Sequence, residues 1–147
     1  MRAAQIFPAV LLACASVSYA ALGGPPAQFN VQDTADVARF TSAGESYITR
    51  DTTLATGTHV SEYISGGNVV FAVTWEGPVL PNLKALLGKY FDTMVAESAK
   101  VTRAGRSQVA IELPEVVINS GGHMRAFEGS AWIPKEFPAG FDATDVR

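Results

Sequence analysis

The residues of this 147-residue chain best suited to chemistry cluster around its two histidines and one glutamate. His59 lies two positions from Ser61, so on a strand both side chains share a face, as a base and a hydroxyl nucleophile would need. Polar alternation along an exposed strand face accounts for the same pair without catalysis. His123 lies in the run Ser120-Gly121-Gly122-His123-Met124-Arg125. Read as a strand, this run puts His123, Arg125 and Phe127 on one face. A histidine and an arginine beside a flexible turn suit a small anionic ligand or the carboxylate of an envelope protein, with arginine supplying a bidentate fork. The plainer reading is a solvated edge strand whose arginine discourages neighbouring chains from pairing. With a carboxylate from elsewhere in the fold, His123 would instead be the base of a small hydrolase or isomerase. Glu62 stands out for its position: the expected hairpin register sets it opposite Phe71 on an apolar face, where burial shifts an acid.

Other chemistries lack their residues. Neither histidine has a second His or Cys three or four positions away, and the acids do not form a calcium loop, so no metal or cofactor is expected. There is no Gly-x-Ser-x-Gly nucleophile elbow. The glycine pairs sit in turn-like segments rather than ahead of a helix, as a phosphate loop requires. Eleven Lys and Arg stand against fourteen Asp and Glu. Without Arg2 the balance is 10 − 14 = −4, spread without long like-charged blocks. That balance argues against nucleic acid and against a polybasic membrane patch.

Residues 1–20 read as a secretory signal: Arg2, an apolar stretch from Ile6 to Val17, then Ser18-Tyr19-Ala20 as the cleavage box. The expected mature chain begins at Ala21 in the periplasm or outside the cell. It has no transmembrane helix and no thiol, because Cys14 is the only cysteine. The alternative is a lipoprotein, since Leu11-Leu12-Ala13-Cys14 resembles the box at which bacterial lipoproteins are cut and acylated on cysteine.

The elements that must position these residues follow from hydrophobic period. Residues 21–43, rich in Gly, Pro, Ala, Gln and Asn, read as an extended or mobile leader with at most a helical turn over 34–40. Residues 44–147 form a single domain, its ordered part opening on a short strand near Ser46. Two β-favouring runs, 58–64 and 69–76, flank Ser65-Gly66-Gly67-Asn68 and predict a hairpin. With Gly66-Gly67 as a two-residue loop, Val60, Ile64, Val69, Phe71, Val73 and Trp75 share the core face. Pro81 then opens a helix over 81–97, in which Leu83, Leu86, Leu87, Tyr90, Phe91 and Met94 make one apolar stripe. Residues 108–113 and 116–119 are β-favouring, and Ser120-Gly121-Gly122 is expected to turn the chain into a strand over 123–129. Residues 137–147 read as irregular surface chain. The fold class is α+β: a twisted antiparallel sheet of two hairpins with one amphipathic helix on its apolar face.

Several segments together are familiar: Ala21-Leu22-Gly23-Gly24, Gly57-Thr58 with Glu62-Tyr63, and Val70-Phe71-Ala72-Val73 followed by Trp75, Gly77 and Pro78. Leu86-Leu87-Gly88, Tyr90-Phe91 and Gly121-Gly122-His123-Met124-Arg125-Ala126-Phe127 complete the set. The chain resembles a group of secreted proteobacterial proteins classed as domain of unknown function 2844, over nearly its whole length after residue 20. The resemblance implies export and a bacterial envelope setting, and it assigns no activity or catalytic residue. The expected function is therefore a non-enzymatic envelope binding or accessory module.

Overall fold

The structure is a computed structural model that describes residues 21–29, 31–100 and 108–147. The signal segment, Cys14 and the polar stretch 101–107 lie outside the described residues. Among the described residues seven antiparallel strands form one sheet: β1 (Val31–Phe40), β2 (Ser46–Leu54), β3 (His59–Ser65), β4 (Val70–Gly77), β5 (Val109–Glu112), β6 (Val117–His123) and β7 (Ala126–Trp132). Their order across the sheet is β1-β2-β3-β4-β7-β6-β5. Two short helices, α1 (Leu83–Leu87) and α2 (Phe91–Lys100), are joined by a 3-10 turn at Gly88–Tyr90. The α+β class holds, whereas the two expected hairpins are parts of a larger meander. Residues 34–40 belong to the ten-residue strand β1, not to a helical turn.

The β3–β4 hairpin shows why its expected register fails while most of its core face survives. Ser65 N–H donates to Val69 O at 2.9 Å across a three-residue loop, with Asn68 at φ 59°. A bulge then adds one more residue, because Tyr63 pairs with Ala72 while Ile64 pairs with Val70. The loop and the bulge together shift the pairing by two residues, and an even shift leaves strand parity unchanged. Val60, Ile64, Val73 and Trp75 thus stay on one face, where they join the helices in the main core. Val70 replaces Val69 in that core, and the bulged Phe71 turns to the opposite face.

The helical segment bends where Gly88 takes φ 52°. Asn82, rather than Pro81, caps α1 by accepting from Ala85 N–H at 3.1 Å. The bend admits the leader: an added Cβ on Gly88 would stand 3.6 Å from Leu22 O. Leu22 is 2% exposed, its N–H donates to Leu86 O, and Gly23 N–H and Gly24 O bond to Val70. Residues 21–24 are therefore fixed between α1 and β4, the extended rather than the mobile form of the expected leader.

The tail is irregular surface chain, as expected, yet it is equally structural. Phe137 and Phe141 pack edge-on against Phe71 with ring centroids 5.9 and 4.9 Å away, and Phe141 also meets Tyr47 and Tyr63. Such aromatic pairs contribute beyond the area they bury. Polar bonds clamp the tail to the β1–β2 turn: Thr41 Oγ1 and Ser42 Oγ donate to Ala139 O and Gly140 O, and Ala139 N–H donates to Glu45 Oε2. Gly140 is required at φ 79°, since a Cβ there would lie 2.5 Å from Ala43 N. Phe141→Ala is expected to lower unfolding stability by about 2–3 kcal/mol, measured by denaturant titration. A loss below about 0.5 kcal/mol, the level of an ordinary surface change, would show that the tail does not complete this face.

Candidate ligand groove

Strand pairing carries two polar rows across the sheet face that the tail covers only in part. The first row runs Ser61, Thr74, Ser130, Asn119 and Ala110, each paired with the next across β3, β4, β7, β6 and β5. The second runs His59, Glu76, Glu128 and Gly121. Period-two alternation turns the intervening row, with Trp75 and Gly129, to the other face. Gly129 is needed there because an added Cβ would fall 2.1 Å from the Trp75 ring. On the polar face the side chains are short, and they leave a groove of about 550 Å³. At Gly121 the Gln108 side chain lies over the backbone, 3.3 Å from where a Cβ would be. Val146 and Arg147 wall one end. The tail is anchored at that wall, since Tyr63 Oη donates to Arg147 O at 2.8 Å and accepts from Arg147 N–H at 3.0 Å.

The groove is a surface of hydroxyls, amides and two carboxylates. Glu76 and Glu128 pair directly across β4 and β7, an arrangement that repels unless something cationic or hydrogen-donating lies between them. The histidine and serine singled out from the sequence both line it, but not as a catalytic pair. Ser61 Oγ donates to Asp51 Oδ1 at 2.6 Å, and His59 Nδ1 shares a hydrogen bond of 3.1 Å with Thr53 Oγ1.

His123 and Arg125 lie elsewhere. The hairpin turns at Met124 and Arg125, because His123 pairs with Ala126, and Arg125 takes φ 70°. Gly121 and Gly122 belong to strand β6, so the Ser-Gly-Gly run is not the turn. At Gly122 a Cβ would meet Ala126 O at 2.3 Å, which accounts for the glycine by close approach. His123 therefore ends a strand, Arg125 occupies the turn, and they do not share a strand face. Both are exposed and neither lines the groove. Strand β6 lies between β7 and β5, but β5 pairs only with Val117–Ser120, so among the described residues the His123 end of β6 is paired on the β7 side alone. Sequence reading overlooked Glu76, Glu128, Asn119 and Ser130 as a set. Their period-two polarity was visible, but their convergence depends on β4 pairing with β7.

Glu62 lies on the opposite face and is fully buried. Its Oε1 accepts from Ala27 N–H at 2.8 Å, which holds the leader across the sheet, while its Oε2 has no hydrogen-bond partner. Desolvation is the largest cause raising its pKa to about 7; the Ala27 bond and the Arg50 charge oppose it, and the Asp36 charge adds to it. Arg50, its partner on β2, is held by Asp36 through two bonds of 2.7 Å. That pairing keeps the Asp36 carboxyl below its usual range.

A folded pKa above the ordinary 4.5 means that the fold prefers the protonated acid. The stability from Glu62 is complete below about pH 4.5, declines as pH rises, and is lost above about pH 7. Denaturant titrations at pH 5 and pH 8 are expected to show a Glu62-dependent loss of roughly 3 kcal/mol, absent in Glu62→Gln. An unchanged pH dependence in that variant would contradict the assignment.

Comparison with known proteins places this geometry in a family context. A family model described as Protein of unknown function (DUF2844) matches residues 18–146. No curated protein and no solved structure matches the chain.

Proposed function

We propose a function for this chain, which belongs to the DUF2844 family of proteins of unknown function: a non-enzymatic binding module, exported to the bacterial envelope, that holds a small polar ligand in the groove across β3–β5. The observation that carries the reading is the two-row polar floor of the groove. Its volume falls within the range of small-molecule sites. Its two facing carboxylates, which have no ion-pair partner among the described residues, favour a ligand rich in hydroxyl or amino groups over an anion. His123 and Arg125 remain a separate candidate contact for a partner at the tip of the β6–β7 hairpin. A hydrolase or isomerase built on His123 finds less support, because His123 stands exposed and away from the groove.

Export rests on the signal-like residues 1–20, and the position of Leu22 fits cleavage after Ala20. The bonds of residues 22–24 to Leu86 and Val70 start the folded domain directly beyond that site. An acylated Cys14 would then be linked to the domain by only a short tether ending near Ala21, rather than by the whole leader.

Two measurements test these readings separately. The intact mass of protein recovered from soluble and membrane fractions is expected to show a soluble species beginning at Ala21. A membrane species beginning at acylated Cys14 would replace this with a lipid-anchored protein. Titration with glucosamine, which carries both hydroxyls and an ammonium, is expected to shift the backbone amide signals of Thr74, Glu76, Asn119, Glu128 and Ser130 together. The Glu76→Gln/Glu128→Gln double variant is expected to weaken that response at least about tenfold. The absence of clustered shifts with glucosamine would count against an amino- or hydroxyl-bearing ligand in the groove.

A further inference from the structure

All ten residues of β1 are exposed, and among the described residues its outer edge pairs with no strand. The direction of its backbone groups follows from the ladder. Leu54 N–H donates to Thr58 O, so the even-numbered residues of β2 turn their backbone groups toward β3. The odd-numbered residues of β2 then turn toward β1, where they pair with Asp33, Ala35, Val37 and Arg39. Thr34, Asp36, Ala38 and Phe40 therefore point their backbone N–H and C=O groups outward. In the single chain the outward Thr34 N–H donates to its own neighbour, Asp33 Oδ1, at 2.9 Å, a bond that pairing of this edge has to exchange.

We propose that two copies of this chain join edge to edge through antiparallel β1–β1 pairing, with the two-fold axis passing through Asp36. Outward groups can meet only outward groups, so the numbers of facing residues must sum to an even value. With a sum of 72, Thr34 faces Ala38 of the second copy, and the two Asp36 residues face each other as a hydrogen-bonded pair. This register also places Asp33 opposite Arg39 at both ends, in the non-hydrogen-bonded positions where side chains approach most closely. Shifting by two residues in either direction sets Arg39 opposite Ala35 or Val31 and forfeits both ion pairs. The facing Asp36 carboxylates do not oppose the pairing strongly, because each is already held by two bonds from Arg50. Val37, 41% exposed, meets Ala35 of the second copy on the same face as the ion pairs.

Charges on an edge strand usually serve to repel other chains. Here the signs differ at two-fold-related positions, so the same charges select a second copy in one register. The axis stands perpendicular to the sheet, which leaves both grooves on one side of a continuous fourteen-stranded sheet (7 + 7).

Sedimentation equilibrium over a concentration series tests the pairing. The wild-type chain is expected to show a monomer–dimer equilibrium that weakens with salt. Asp33→Arg and Arg39→Asp each bring like charges together at both ends and are expected to weaken self-association about tenfold or more. Both side chains are exposed, and the melting temperature of each variant reports that the fold is kept. An equimolar mixture of the two variants restores opposite charges at both ends and is expected to associate nearly as tightly as wild type. A wild-type chain that stays monomeric, single variants that dimerise as wild type does, or a mixture that fails to associate would each overturn the proposal.

Discussion

An antiparallel sheet of seven strands has two faces to protect from water, and the described residues supply too little helix for even one. That shortage governs the architecture. Parallel sheets solve the same problem by inserting a helix between strands, but a meander of hairpins leaves both faces open. Here the helical segment covers part of one face, and the irregular ends of the domain do the rest. Residues 21–29 cross the helix-covered face and contribute Leu22 and Phe29 to its core. Residues 137–147 cross the other and contribute Phe137, Phe141 and Val146.

The division between the faces is set at the bulge by Phe71. By turning Phe71 to join Tyr63 and Tyr47, the bulge gives the tail an aromatic platform on which to dock. The platform ends where β4 changes from Phe71 and Ala72 to Thr74 and Glu76. Beyond that point the face is polar, the tail has no apolar surface to follow, and the groove begins. The groove and the aromatic cluster are thus two halves of one sheet face, separated by a change in composition along single strands. On the opposite face, Glu62 shows the cost of closing a core with backbone instead of side chains. Its carboxyl holds the leader by one N–H and is left with an oxygen that has no partner among the described residues.

Much of the fold was legible in the sequence, because local hydrophobic period determines element type. The runs at 58–64 and 69–76, the apolar stripe from Leu83 to Met94, and the core positions of Val60, Ile64, Val73 and Trp75 all follow from it. Features that depend on long-range pairing were not legible. Residues 31–40 lack a clear alternation because the whole strand is exposed, so nothing in their polarity distinguishes a strand from a loop. The tail reads correctly as irregular chain, but its docking was not legible, because Phe137 and Phe141 stand among Pro, Ala and Gly that set no helix or strand period. The turn at Met124 and Arg125 was hidden by the more conspicuous glycines before it, which serve close strand approach. Among the site residues, His59 and Ser61 were noticed as neighbours, but their places in two rows across the sheet depended on a β4–β7 contact between residues more than fifty positions apart.

The two irregular ends are structural parts of the domain, one packed on each face of the sheet. Amide hydrogen exchange tests this most directly, because local opening free energy separates frayed segments from cooperative ones. The N–H groups of Leu22, Gly23, Ala139 and Arg147, which bond to Leu86, Val70, Glu45 and Tyr63, are expected to exchange with β3 and β4 in a single cooperative unit. Rapid exchange at these four positions while β3 and β4 stay protected would contradict it, and would show a sheet that holds together with both faces open.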